Sequence, residues 1–210
     1  MQIKEMEIQI TNREVAENNL KTGLFIGACR TEESGNYLAK ESELEGISKY
    51  LIIQIRDSES GEQGLVQQGF VRNKESIKKY LESLSWNEND AWKLAEENTK
   101  KCSQILPINF LLNLNLPETD GMPYVISNTW NFLGAGSALI HETLEGFARK
   151  YHTHRIALLP SSIHEMIIVP NQELLEGDLS NLSDMVKEIN HSLVEPNERL
   201  TDRAYIIDFD

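Results

Sequence analysis

The 210-residue sequence is short of cysteine, long apolar runs and positive charge, and each shortage excludes a class of protein. Two cysteines, Cys29 and Cys102, are too few for a disulfide framework, so we expect a cytoplasmic protein. The longest apolar runs are about five residues against the ~20 of a membrane helix, and the first residues lack the pattern of a signal peptide. A net charge of −13 disfavours nucleic acids and anionic membranes as partners.

The sequence also lacks the usual motifs of nucleotide, hydrolase and metal sites. Gly134 and Gly136 do not complete G-x-G-x-x-G, and no G-x-S-x-G occurs. His152, His154 and His164 suggest a metal site. The first strand of the predicted hairpin lies between His154 and His164, however, and would place His164 roughly 17 Å from the other two histidines. That distance is too long for ligands of one ion, which each lie about 2 Å from it. We expect no metal and no cofactor, and we expect the scattered acidic residues to form solvated surface.

Apolar periodicity predicts an α+β arrangement in the N-terminal half. Residues 5–10 and 23–29 are predicted strands, and residues 50–56 and 65–71 flank a polar loop typical of a hairpin. Two helices with one apolar face each follow, the first capped by Asn73 and the second beginning after Asn87 or Asn89. Asn98, on the apolar face of the second helix, is expected to bond main-chain groups. Alternation then predicts a strand over residues 108–116.

The C-terminal half has the order β-α-β-β-α-β. Residues 124–128, 156–159, 166–169 and 204–209 are the predicted strands, Ser137 caps the first helix, and Asp178 or Ser180 caps the second. This order is that of the ferredoxin-like split βαβ motif. The predicted fold is therefore α+β, with this unit preceded by an N-terminal α+β extension containing the hairpin and two helices. The Pro-rich turn at 117–123 divides residues 1–117 from 118–210, or lies within one continuous domain.

This topology predicts that polar residues from separate segments meet at one edge of the sheet. The hairpin turn, residues 160–165, would lie beside the loop 128–136 and the approach to the last strand, residues 197–201. We call this edge the rim. Its candidate catalytic residues are Ser161, Ser162, His164 and Glu165, and its candidate ligand-binding residues are Asn128, Trp130, Asn131 and Ser137.

The rim has two interpretations. His164 as a base beside a serine nucleophile would suit a hydrolase, and the helix beginning at Ser137 would offer N–H groups to an anion. Alternatively, Ser161 and Ser162 satisfy the main chain of the turn and His164 bonds nearby main-chain groups.

Four separated stretches resemble a known family. They are A-W-K-L-A-E-E-N-T at 91–99, Y-V-I-S-N at 124–128, L-P-S-S-I-H-E-M-I-I-V-P at 159–170 and D-M-V-K-E-I-N at 184–190. Together they resemble domain of unknown function 5688, a family of Firmicutes and chiefly of gut-associated clostridia, over roughly residues 86–210. The resemblance implies a bacterial, intracellular accessory protein and no particular reaction.

Two functions stay open at this point. The missing catalytic constellation favours a non-catalytic, acidic protein-binding or regulatory module that engages another protein or itself. The alternative is a small-ligand-binding protein or hydrolase-like enzyme that uses the rim around Ser161, Ser162, His164 and Glu165.

Overall fold

The structure, a computed structural model, describes residues 13–57, 67–111, 121–170 and 178–209. The first elements are α1 (Arg13–Gly23), β1 (Leu24–Arg30), β2 (Ala39–Glu41), β3 (Ile47–Asp57), β4 (Gln67–Val71), α2 (Lys74–Ser83) and α3 (Glu88–Cys102). The remaining elements are β5 (Ser103–Pro107), α4 (Ile108–Leu111), β6 (Tyr124–Asn128), α5 (His141–Lys150), β7 (Arg155–Leu159), β8 (Met166–Pro170), α6 (Asp178–Leu193) and β9 (Tyr205–Asp208). The α+β class is as predicted. The strand predicted at residues 5–10 lies outside the described residues.

The first sheet is antiparallel and is built on β3. Strands β1 and β2 pair with β3 on its two sides, and β4 pairs with the far end of β3. The pairing of β3 with β4 confirms the predicted hairpin arms. Both faces of β3 are buried, which explains why its sequence is a nearly continuous apolar run instead of a strict alternation.

Helix α3 covers the free edge of β1. The side-chain amide of Asn98 donates to the main-chain oxygens of Lys21 and Leu24, at 3.0 and 3.1 Å. The main-chain N–H of Ile26 donates to Thr99 Oγ1 at 2.8 Å. Asn98 therefore bonds the main chain as predicted. Side chains of α3 therefore hydrogen-bond main-chain groups of β1 that an uncovered edge strand would offer to another strand.

The starts of α2 and α3 are as predicted, but the end of α3 is not. Asn73 and Asn87 cap α2 and α3 by accepting two main-chain N–H groups each. Residues 103–107, which continue the apolar stripe of α3, instead form β5. The strand predicted at 108–116 is wrong over Ile108–Leu111, which is helical, and its remainder lies outside the described residues. The strand pairing with β6 begins earlier, at Ser103, and Pro107 is its last residue.

The second sheet is antiparallel with the order β5-β6-β8-β7-β9. The hairpin β7–β8 is as predicted, and β8 lies between β6 and β7. In a ferredoxin-like sheet the last strand would pair with the first, whereas β9 pairs with β7. Strand β5 pairs along the whole of β6, so that edge is not free for β9. The sheet order therefore does not confirm the predicted ferredoxin-like unit.

The apolar core has layers on both sides of the first sheet. One cluster lies between the two sheets and includes Tyr50, Ile52, Ile126, Leu158 and Met166. A second cluster packs α1, α2 and α3 on the opposite face of the first sheet. The cluster between the sheets combines residues from both sides of position 117. In the described part of the chain, no helix is long and apolar enough to cross a membrane.

Candidate functional site

Main-chain hydrogen bonds join the three segments of the rim. The N–H of Gly134 donates to the oxygen of His164 at 3.0 Å, and the N–H of Ala135 donates to the oxygen of Ile163 at 3.3 Å. The N–H of Ile163 donates to the oxygen of Glu198 at 2.8 Å. The structure thus brings the turn 160–165, the loop 128–136 and the segment 197–201 together, as the predicted topology requires.

Both ring nitrogens of His164 have partners. Its Nδ1 accepts the main-chain N–H of Leu133 at 3.0 Å, and its Nε2 lies 3.3 Å from Glu198 Oε1. Because the Leu133 N–H can only donate, Nδ1 carries no proton and Nε2 donates to Glu198. The ring also stacks on Phe132, with centroids 4.7 Å apart, and only 17% of the side chain is exposed. His164 is therefore a cross-link between the rim segments.

The serine hydroxyls of the rim bond main-chain groups. Ser161 Oγ donates to the oxygen of Glu165 at 3.1 Å, and Ser162 Oγ accepts the N–H of His164 at 3.1 Å. Ser127 Oγ donates to the oxygen of His164 at 2.7 Å. Among the described contacts, none joins a serine hydroxyl to the His164 ring. A serine nucleophile would bond its base, whereas the described hydroxyls of Ser161, Ser162 and Ser127 bond main-chain groups.

Of the ligand-binding candidates in the loop 128–136, Asn128 bonds within the protein and the Trp130 ring packs against it. The Asn128 amide donates to the oxygen of Phe132 at 2.8 Å and accepts the Phe132 N–H at 3.2 Å. The Trp130 ring meets Phe25 edge-on, with centroids 4.9 Å apart. Asn131 is exposed and has a φ of 51°. Asn128 and Trp130 therefore close and anchor the loop.

Ser137 does not cap a helix at the rim. It lies in a short 3₁₀ helix, Ala135–Leu139, and α5 begins later, at His141, with Ile140 as its N-cap. Ser137 is 1% exposed, and within the described ranges its hydroxyl has no hydrogen-bond partner. The 3₁₀ helix packs so closely on β1 that a Cβ at Gly136 would lie 2.0 Å from the Ile26 oxygen. The helix cap predicted at Ser137 is wrong, because this turn is pressed against β1 and α5 begins four residues later.

Close packing also defines the loop beside His164. A Cβ on Gly134 would lie 2.3 Å from Ser127 Oγ and 2.6 Å from the Asn128 nitrogen. Leu133, immediately before it, has a φ of 51°, a conformation that costs a residue with a side chain about 1 kcal/mol or more. The bonds of the Leu133 and Gly134 N–H groups to His164 hold the loop in this strained form.

Burial raises the pKa of one rim carboxyl, that of Glu165, and of the two thiols. Burial raises the pKa of the Glu165 carboxyl, and His164 offsets part of the rise. Burial raises the pKa of the Cys29 thiol to about 12 and that of Cys102 to about 11. Both thiols therefore stay protonated at neutral pH and are poor nucleophiles. No cluster of three His, Cys, Asp or Glu side chains in the described ranges could hold a metal ion.

A groove of about 1490 Å³ lies outside the rim, and we call it the acidic groove. Its walls come from the turn between β2 and β3, from α3, from the start of α5 and from β9. Seven carboxylates line it: Glu41, Glu43, Glu45, Glu96, Glu97, Glu142 and Asp208. These residues are among the scattered acidic residues expected to form solvated surface. The alternating glutamates of E-S-E-L-E at 41–45 are the one local signal that could have indicated the groove.

Ion pairs neutralise part of the acidic groove. Lys49 pairs with Glu96 at 2.8 Å, Arg155 with Asp208 at 2.5 Å, and Arg203 with Glu45. Glu97 pairs with Lys101, which lies outside the lining, at 3.9 Å. The lining also has the exposed carboxylates Glu41, Glu43 and Glu142 and the exposed ammonium groups of Lys93 and Lys100. The groove therefore keeps an excess of negative charge at its surface.

Comparison with known proteins identifies the family. The model of the Family of unknown function (DUF5688) matches residues 68–208. No curated protein and no solved structure matches the chain. The match contains the rim, α3 and β9, and it confirms the resemblance that the sequence motifs indicate. It covers more than half of the sequence, so the chain belongs to the family of unknown function DUF5688.

Proposed function

We propose that this chain is a non-catalytic protein-binding module whose acidic groove receives a positively charged, extended segment of a partner protein. The observation that carries the proposal is the excess of carboxylates in the lining of the groove, seven against the five cationic side chains of Lys49, Lys93, Lys100, Arg155 and Arg203. The net charge of −13 adds a long-range field of the same sign. Such a field attracts cationic partners and repels anionic ones.

The dimensions of the groove favour a polypeptide over a metabolite. Pockets for small molecules enclose roughly 300–1,000 Å³ and cover most of the ligand surface. The acidic groove has about 1490 Å³ and opens between elements from both sheets. Its lining includes the apolar residues Leu139, Ile140 and Ile206, which would contact the alternate side chains of an extended segment.

The contacts of the rim support the non-catalytic part of the proposal. The hydroxyls of Ser161 and Ser162 bond main-chain groups, and both His164 nitrogens have partners within the protein. Catalysis at the rim would require breaking these bonds first.

The test is direct binding of two defined peptides to the full chain, measured by fluorescence anisotropy. One labelled octapeptide alternates Lys and Val, and the other alternates Glu and Val. We expect the Lys–Val peptide to bind, with an affinity that falls by about tenfold or more between roughly 50 and 300 mM salt, and the Glu–Val peptide not to bind.

A matched pair of variants locates the binding. Glu41→Lys with Glu43→Lys reverses two charges in the groove, and Asp184→Lys with Glu188→Lys reverses two exposed charges on α6. We expect the groove variant to lose about tenfold in affinity and the α6 variant about twofold or less. Equal losses would indicate a general effect of net charge. Failure of the Lys–Val peptide to bind the unmodified chain would overturn the proposal.

A further inference from the structure

We infer that the partner segment binds as an additional β-strand along the outer edge of β9. This inference rests on the proposed function and specifies how the acidic groove holds its partner. The main-chain groups of β9 would then bind the partner segment in addition to the carboxylates of the groove walls.

Strand β9 is the last strand of the second sheet. It pairs with β7 on one side, and in the described part of the chain no strand pairs with its other side. An edge strand presents main-chain donors and acceptors that can pair with another chain. Helix α3 covers the edge of β1 in the first sheet, whereas the edge of β9 opens into the acidic groove, which Ile206 and Asp208 line.

The register of β9 identifies the unpaired groups. The N–H of Phe209 donates to the oxygen of His154 at 2.9 Å, which places residue 209 on the side facing β7. Pairing alternates along an antiparallel strand, so Tyr205 and Ile207 also direct their main-chain groups to β7. The N–H and C=O groups of Ile206 and Asp208 therefore face away from β7. Ile206 and Asp208 are two residues apart, which is the spacing at which one edge of a strand hydrogen-bonds an antiparallel neighbour.

The opposite wall of the groove is held in place near the start of β9. The hydroxyl of Tyr205 donates to the main-chain oxygen of Glu45, and the Arg203 guanidinium pairs with the Glu45 carboxylate. The alternate glutamates of this wall, Glu41 and Glu43, line the same groove as β9. A strand added beside β9, about 4.8 Å away, would lie between β9 and this wall. Its main chain would bond β9, and its basic side chains would meet the glutamates.

Charge identifies the partner as a cationic segment of another protein. A second copy of this chain would bring its own net charge of −13 to an acidic groove. In binding by strand addition, main-chain hydrogen bonds supply affinity and side chains supply specificity. The alternating Lys–Val octapeptide supplies both requirements and is the probe for the inference.

Amide hydrogen exchange of the isotopically labelled full chain tests the strand addition. On saturation with the Lys–Val peptide, we expect exchange of the Ile206 and Asp208 amides to slow by about tenfold or more. The Ile207 amide, which already bonds β7, serves as the internal control and should change by about twofold or less. Slowing of all three amides by the same factor would indicate general stabilisation and would overturn the inference.

Two N-methylated peptides give an independent measurement. One carries N-methyl groups on all Lys residues and the other on all Val residues, so each lacks the donors along one edge. We expect one of them to lose about tenfold or more in affinity and the other to bind nearly as well as the parent peptide.

The outcomes separate this inference from the proposed function. If the Lys–Val peptide binds with the expected dependence on Glu41 and Glu43 but leaves the Ile206 and Asp208 amides unprotected, the groove binds cationic segments and the strand addition is wrong. If the peptide does not bind, both are wrong. Concentration-dependent protection of these amides without peptide would show that a second copy occupies β9, and it would overturn the inference.

Discussion

His164 Nδ1 accepts the main-chain N–H of Leu133 at 3.0 Å, and this bond connects the turn of the hairpin β7–β8 to the loop that follows β6. Leu133 has a φ of 51°, so its N–H is directed by a strained main-chain conformation. The Leu133 N–H is largely enclosed, and His164 Nδ1 is its acceptor in place of a main-chain oxygen. His164 therefore holds this loop in place.

Replacement of His164 by Ala should destabilise the protein by about 2–3 kcal/mol. The change leaves the Leu133 N–H without its acceptor, which costs about 1–3 kcal/mol, and removes the stacking on Phe132. Urea unfolding of the full chain measures the difference. His154→Ala is the matched control, because its exposed side chain should contribute about 0.5 kcal/mol or less. If the two variants were equally stable, the structural role of His164 would be contradicted, and His164 would again be a candidate functional residue.

Two glycine substitutions should have opposite signs. Gly134→Ala forces a Cβ against Ser127, the Asn128 main chain and the His164 oxygen, and should cost on the order of 3 kcal/mol. Gly146→Ala in α5 meets nothing within 4 Å, and should stabilise by about 0.5–1 kcal/mol through helix propensity. Thermal unfolding compares both with the unmodified protein. A neutral Gly134→Ala would mean that the loop has more room than its packing indicates.

Removal of the Thr99 hydroxyl should destabilise the protein, because this hydroxyl accepts a hydrogen bond from the covered edge of β1. Thr99→Val preserves the shape of the side chain but leaves the buried N–H of Ile26 without an acceptor, at a cost of about 1–3 kcal/mol. Thr22→Val, which removes an exposed hydroxyl bonded within α1, should cost about 0.5 kcal/mol or less. Denaturant unfolding gives both values. A Thr99→Val variant as stable as the control would show that water replaces the lost acceptor.

The Glu165 carboxyl should make the protein less stable as the pH rises. In the unfolded chain this group loses its proton near its ordinary pKa of 4.5, whereas burial raises its pKa in the folded protein. Between these two values the folded protein binds the proton that the unfolded chain has lost, so stability decreases with rising pH through that window and stays lower above it. Glu165→Gln should therefore gain stability over the unmodified protein on going from about pH 4 to pH 7.

Urea unfolding at both pH values measures that difference. Glu188→Gln removes an exposed carboxylate with the same change of charge and is its control. A stability difference for Glu165→Gln that does not grow with pH would contradict the raised pKa.

Structural features that a few neighbouring residues specify were predicted from the sequence. The caps at Asn73 and Asn87, the bonding of Asn98 and the hairpin β7–β8 are each indicated by a short stretch of sequence. The rim segments were also predicted to meet, because their neighbourhood follows from the order β6, α5, β7 and β8. The sequence signal for each feature is local, although the bonds of Asn98 and of the rim join residues that are distant in the chain.

Features that depend on distant pairing were not predictable. The apolar positions of β5 continue the stripe of α3, and only the pairing with β6 makes them a strand. That pairing in turn places β9 beside β7. Ser137 looked like a helix cap, but its segment is shaped by contact with Ile26, more than 100 residues earlier. The acidic groove requires β2, α3, α5 and β9 to be in place, and no local pattern carries that information.

The covering of β1 by α3 has a consequence for shortened versions of the protein. The family match begins at residue 68, within β4, and so excludes β1 and β3. A fragment that begins there would keep Asn98 and Thr99 but lose the strand that they bond, and it would uncover the apolar face of α3 around Ala91 and Ala95. Recombinant fragments cut at the family boundary should therefore aggregate, whereas those that start before α1 should express as folded protein.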